Sequence, residues 1–252
     1  MNKNQRQRKP WVIPLHIAVG ILGVLAVFAC VFKFYALHYY HADEKTIAAI
    51  EQSGNAIETK IDKDTYLFYP ASGQVKCGII FYPGGKVEYS AYRGLMYRLA
   101  EEGFVCVLPR MPENLAILSE SAAEAIPEKV PQIKEWYLAG HSLGGVAASK
   151  YIGEHADEFA GMIFCASYTL TDLSESGLRV LSIYGTEDKV LNREKYAECM
   201  SNLPDETETF LIEGGCHSYF GCYGMQEGDG NPTITNEEQI NLVAEEIARW
   251  IP

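Results

Sequence analysis

The sequence predicts a three-layer α/β sandwich built on a mostly parallel sheet and preceded by one N-terminal transmembrane helix. Three observations carry this expectation. From about Thr65 onward, short apolar runs alternate with segments of helical spacing. One joint between such a run and a helix reads Gly140-His141-Ser142-Leu143-Gly144-Gly145. Residues 11–32 contain no Asp, Glu, Lys or Arg. Alternating strands and helices imply parallel strands joined by crossover helices on both faces, and active sites in such sheets form at the carboxyl ends of the strands.

The N-terminus is a separate element. Twenty-two uncharged residues form a helix of about 33 Å at ~1.5 Å per residue, enough to cross a bilayer. Lys3, Arg6, Arg8 and Lys9 precede it, so the positive-inside rule keeps residues 1–10 in the cytoplasm and puts the rest outside. Trp11 at one end and Tyr35, Tyr39 and Tyr40 at the other suit the two interfaces. The expected divisions are a basic segment over 1–10, a signal anchor over 11–34, a polar stalk or entry segment over 35–62, and the α/β domain over 63–252. A cleaved signal peptide is the rival reading, but no small-x-small cleavage site follows the apolar stretch.

Composition bounds the partners. The formal net charge is −12, and residues 1–33 hold five basic side chains and no acid, which leaves −17 for the remainder. Such a surface repels phosphate backbones, so nucleic acid is not an expected partner. The hydrophobic fraction of 48% is enough for a full core. Seven cysteines cannot all pair within one chain. Cys77, Cys106 and Cys165 lie in apolar runs and read as small core residues. Cys216 and Cys222 bracket His217, and an oxidising location would permit a disulfide there; two free thiols is the alternative.

The remaining elements follow in order. Strands are expected over 66–69, 77–82, 104–108, 135–139, 162–165, 178–184 and 208–212. Helices are expected over 89–102, 146–154, 193–200 and 237–250, with a further helical stretch around 115–125. The stretch 89–102 puts Tyr92, Leu95, Met96 and Leu99 on one face, with Gly103 as its stop.

The chemistry is concentrated in three places. Gly-x-Ser-x-Gly between a strand and a helix is the nucleophile elbow, a turn sharp enough to strain and expose Ser142. Side chains at 140 and 144 would collide, hence glycine. The orienting acid follows in chain order, and Asp188, after the strand 178–184, is the candidate, with Glu187 as the alternative. His217, just after the last strand, is the candidate base. His141, inside the elbow, reads as a packing or hydrogen-bonding residue. An oxyanion hole needs two amides. Leu143 N–H is one; the other comes from Pro83-Gly84-Gly85-Lys86, with Gly85 preferred and Lys86 next. Tyr168 and Tyr219 lie on the two loops able to overhang the site and are candidate substrate contacts. No metal site is assigned.

Residues 79–250 resemble the α/β-hydrolase superfamily, and within it the small lidless branch near dienelactone hydrolases and carboxylesterases, the α/β-hydrolase family 5 domain. The resemblance rests on Phe-Tyr-Pro-Gly-Gly-Lys-Val at 81–87, Arg-Met-Pro-Glu-Asn-Leu-Ala at 110–116, the elbow, Tyr-Gly-Thr-Glu-Asp at 184–188, and Tyr-Phe-Gly-Cys-Tyr-Gly-Met-Gln-Glu-Gly-Asp-Gly at 219–230. It implies a Ser-His-Asp esterase-type mechanism without cofactor. Two departures stand out: dienelactone hydrolases use a cysteine nucleophile where this chain has Ser142, and Pro83-Gly84 replaces the frequent His-Gly. The expected activity is therefore cleavage of a carboxylic ester or thioester by a membrane-tethered serine hydrolase. A catalytically silent binding domain, or a peptidase or acyltransferase acting on envelope components, are the alternatives.

Overall fold

Five-residue runs without a polar break, such as Gly78–Tyr82 and Gly161–Cys165, suit strands buried on both faces, and both are fully buried strands. In the computed structural model, which describes residues 12–252, they lie in an eight-stranded sheet. The strands are β1 (Ala56–Asp62), β2 (Thr65–Pro70), β3 (Gly78–Tyr82), β4 (Val105–Pro109), β5 (Trp136–His141), β6 (Gly161–Cys165), β7 (Arg179–Gly185) and β8 (Glu208–Ile212), in the spatial order β1-β2-β4-β3-β5-β6-β7-β8. From β4 to β8 every pairing is parallel, whereas β1 and β2 form an antiparallel hairpin on one edge.

The period-two alternation of side chains divides the core in two. Ile79, Phe81, Tyr137, Ala139, Ile163 and Leu181 pack on one side with α2 (Glu44–Ile50), α3 (Arg93–Glu101) and α7 (Asn236–Trp250). Ile80, Tyr82, Leu138, Met162, Phe164 and Val180 pack on the other with α5 (Leu143–Glu154) and the short α4 (Ile126–Lys129). Helix α6 (Arg193–Cys199) lies between β7 and β8 in the chain. Helix α7 opens with a capping box between Thr235 and Glu238, worth about 1 kcal/mol for the Thr cap alone. This is the expected three-layer α/β architecture with an N-terminal apolar helix.

Two segments differ from expectation. Residues 115–125 are not a regular helix but 3₁₀ turns at Ala116–Leu118 and Glu120–Ala123. Glu113 and Asn114 take positive φ just before it, and Leu115 and Ser119 are non-helical within it at φ −131° and −153°, which interrupts the helix twice. The second difference is the N-terminal boundary. The sequence reading began the domain at residue 63, yet the compact unit begins at Tyr39. Asp43 caps α2, whose Ile47 and Ile50 are buried, and β1 pairs with β2 over its whole length. Arg93, half-buried, gathers Glu44, Glu51 and Glu58, at 2.8, 3.1 and 2.8 Å, so these three carboxylates converge on one cation.

The other unit is α1 (Val12–Leu37). Its Ile17–Leu37 stretch is the one described helix long and apolar enough to cross a membrane, and it has equally the placement of a signal sequence. The basic residues 3–9 and Trp11 lie outside the described residues.

Candidate active site

The site is built where β5 ends. Ser142, immediately after it, holds φ 50° and ψ −124°, a conformation costly for any residue with a Cβ. Glycines make the turn feasible. A Cβ on Gly140 would lie 2.5 Å from Gly145 N, and one on Gly144 would lie 2.2 Å from Tyr82 O. Gly145 is a third requirement, since a Cβ there would lie 2.4 Å from Ser167 Oγ. That hydroxyl donates to Ser142 O at 2.6 Å, and Ser142 N–H donates to Cys165 O at 3.0 Å, so β6 and its following loop brace the strained residue on both sides. Ser142 itself is half-buried, which leaves its hydroxyl reachable.

Asp188 and His217 meet from β7 and β8. His217 Nδ1–H donates to Asp188 Oδ2 at 2.9 Å, and both side chains are buried. The other carboxylate oxygen accepts Val190 N–H at 2.9 Å and Leu191 N–H at 2.8 Å, which fixes the acid's orientation. Because His217 Nδ1 is taken by Asp188 and Nε2 has no partner, Glu187, the alternative acid, makes no bond to the imidazole. With Nδ1 donating, His217 Nε2 is a bare acceptor; it is buried and has no partner, so no hydrogen bond to Ser142 Oγ is made. Such contacts often tighten only when substrate is bound.

The two oxyanion candidates adjoin each other. A Cβ on Gly85 would lie 2.8 Å from Leu143 Cδ2, so the Gly84–Gly85 turn lies against the start of α5. Lys86 does not serve: its N–H donates to Asn114 O at 2.8 Å and is not available to an oxyanion. That bond links two residues with positive φ, Lys86 at 59° and Asn114 at 55°.

Tyr168 and Tyr219, the candidate substrate contacts, are half-buried on the loops after β6 and β8. Cys216 and Cys222 are not joined; both are free and buried, with their thiol pKa values pushed up to about 12 by burial. They serve different neighbourhoods. Cys216 is clamped through its backbone, its N–H donating to Gln239 Oε1 at 2.9 Å and its O accepting Gln239 Nε2–H at 2.8 Å. Cys222 lies instead in the core against Gly94, on α3. Among the described residues no group of three or more side chains is arranged to hold a metal ion.

Three residues organise the histidine loop: Asp229 and Gln239, to which the sequence reading gave no role, and Tyr40, which it placed at the membrane interface. Asp229 accepts Ser218 N–H at 2.8 Å, Ser218 Oγ–H at 2.6 Å, Gly230 N–H at 2.8 Å and His217 N–H at 3.3 Å. Burial alone would raise its pKa, but these donors outweigh that and hold it below the usual carboxylate value. Gln239 holds residue 216 as described, and Tyr40 reaches the loop from the N-terminal side, accepting Glu227 N–H at 3.0 Å. Gly-Asp-Gly at 228–230 was the only available signal, and by itself it reads as a turn.

The geometry is that of a hydrolase with a nucleophile elbow. Residues 78–241, about two thirds of the chain, match the profile of the alpha/beta hydrolase family, and the chain belongs to that family. No curated protein matches it.

Proposed function

We propose that the chain is a serine hydrolase that cleaves carboxylic esters, thioesters included, through an acyl-enzyme on Ser142. The observation that carries this reading is the buried His217–Asp188 pair beside a strained, half-buried Ser142. With Nδ1–H donated to Asp188, His217 offers Nε2 as base. It takes the Ser142 proton as Oγ attacks the acyl carbon. The Leu143 and Gly85 N–H groups stabilise the developing oxyanion. The tetrahedral adduct collapses, the proton on Nε2 passes to the leaving alkoxide or thiolate, and the acyl group remains on Oγ. Water, deprotonated by Nε2, then attacks the acyl carbon and releases the acid, returning the proton to Ser142. The loop between β6 and β7 is too short for a lid domain, which favours small or flexible acyl groups.

The apolar helix supports a membrane-associated enzyme, and the preceding basic residues support an extracytoplasmic catalytic domain, whether the helix is retained or removed as a signal. The test is turnover of p-nitrophenyl esters of increasing acyl length beside peptide and acyl-transfer panels, with Ser142→Ala as control. Ester turnover abolished in Ser142→Ala supports the reading. Peptide cleavage or acyl transfer exceeding ester hydrolysis, or no turnover at all, overturns it in favour of a peptidase, a transferase or a binding domain.

A further inference from the structure

Two buried polar side chains beside the site take no part in the steps above. Tyr92 is fully buried, and His141, the residue inside the elbow, is 1% exposed. Gly84 N–H, in the oxyanion loop, donates to Tyr92 Oη at 3.0 Å, and Tyr92 Oη lies 2.8 Å from His141 Nδ1. The donor count settles the direction. Tyr92 Oη accepts Gly84 N–H, and its single buried proton has no acceptor other than His141 Nδ1, so the hydroxyl donates there. His141 is then the neutral tautomer with its proton on Nε2.

The imidazole lies where the three catalytic segments converge. His141 is the last residue of β5 and directly precedes Ser142. Its ring is 4.5 Å from the His217 ring and stacks at 5.3 Å and 26° on Phe220, in the turn after His217. Tyr92 is fixed in turn by Phe81 at 5.2 Å. Glycine at 84 is what lets the two polar atoms approach, since a Cβ there would lie 2.6 Å from Tyr92 Oη and 2.7 Å from His141 Nδ1.

We propose that Tyr92 and His141 are a positioning pair that holds the oxyanion loop, the nucleophile and His217 in mutual register. The proposal rests on the serine-hydrolase reading and deepens it. A purely apolar wedge would fill the same space without desolvating two polar groups. What the pair adds is a fixed acceptor for the Gly84 amide, next to the Gly85 amide that faces the oxyanion. His141 must also stay neutral, because His217 becomes cationic within each turnover and a second cation 4.5 Å away would oppose that step. Burial, and then the charge on His217, push His141 well below the ordinary histidine pKa, consistent with that requirement.

The test is Tyr92→Phe, which removes one oxygen and leaves the ring packing. Rates are measured per active site, the sites being counted by stoichiometric fluorophosphonate titration. The expected result is a kcat per titrated site lower by about tenfold to a hundredfold, with KM within about twofold, because a displacement of ~1 Å is enough to cost that much. A residue that only supported folding would lower the number of titratable sites and leave kcat per site unchanged, and that outcome overturns the proposal. His141→Gln, which keeps a hydrogen-bonding side chain, is the second variant should Tyr92→Phe not fold, and it is expected to lower kcat per site in the same way; wild-type kcat per site in it overturns the proposal equally. If Ser142→Ala is inert while Tyr92→Phe is normal, only the positioning role fails. If Ser142→Ala remains active, the underlying reading fails with it.

Discussion

Replacing Asp229 by Asn tests how far His217 depends on a carboxylate that never touches its ring. The wild-type Oδ2 accepts both Ser218 N–H and Ser218 Oγ–H, while Oδ1 accepts Gly230 N–H and His217 N–H. An amide retains only one of these oxygens, so a backbone N–H on one side, that of Ser218 or those of His217 and Gly230, would face an NH₂ group. Orphaning that N–H costs about 1–3 kcal/mol, and losing a charge-assisted bond costs a similar amount. A loss of about 2–5 kcal/mol is therefore expected, or roughly 5–15 °C in Tm for a domain of this size. The catalytic effect comes through the backbone of His217 and Ser218; a shift of ~1 Å there lowers kcat by up to about a hundredfold with little change in KM. The pH dependence carries a sign. Asp229 has a folded pKa below its ordinary 3.8, so its stabilisation is present above that value and lost as the pH falls through the folded pKa. The Tm gap between wild type and Asp229→Asn should be full at neutral pH and close under acid. Paired calorimetry and ester kinetics read both effects. An Asp229→Asn enzyme with wild-type kcat and a Tm gap independent of pH would refute the reasoning.

Other outcomes follow from the same contacts. A chain beginning at Asp43 loses Tyr40, whose backbone bonds to Lys86 O and Glu88 N–H, both at 2.8 Å, fasten the oxyanion loop; it should turn over esters at least tenfold more slowly than a chain beginning at Tyr39, as read from initial rates. Cys216 and Cys222 are free, so reductant should leave activity unchanged, and peptide mapping without reduction should find both thiols unpaired. Gly145→Ala drives a methyl into Ser167 Oγ and should lower kcat by at least tenfold through the Ser142 backbone, with substrate affinity little affected.

What the sequence made legible was what neighbouring residues decide. Buried strands announce themselves as unbroken apolar runs, and the elbow as three glycines around a serine, because their causes lie within a few positions. Residues 39–62 were less legible. Glu44, Glu51 and Glu58 look like solvated charges until Arg93, 35 or more positions away, is brought between them. The candidate oxyanion loop was half legible. Its glycines pointed to Gly85, but only folding shows that the amide of Lys86 is taken by Asn114. Asp229 was hidden for the same reason, since its partners gather only when the loop after His217 closes. The cysteine spacing suggested a bond that the backbone does not make, because residue 216 is clamped by Gln239 and Cys222 is drawn into the core by α3.

The central claim is a covalent intermediate on one serine. Rapid acid quench of the enzyme with a p-nitrophenyl ester, followed by peptide mass spectrometry, observes it directly. The account predicts a burst of p-nitrophenol of about one equivalent per active site and an acyl mass on the peptide containing Ser142, with neither seen in Ser142→Ala. An acyl group on Cys216, on another residue, or on none during active turnover would contradict it.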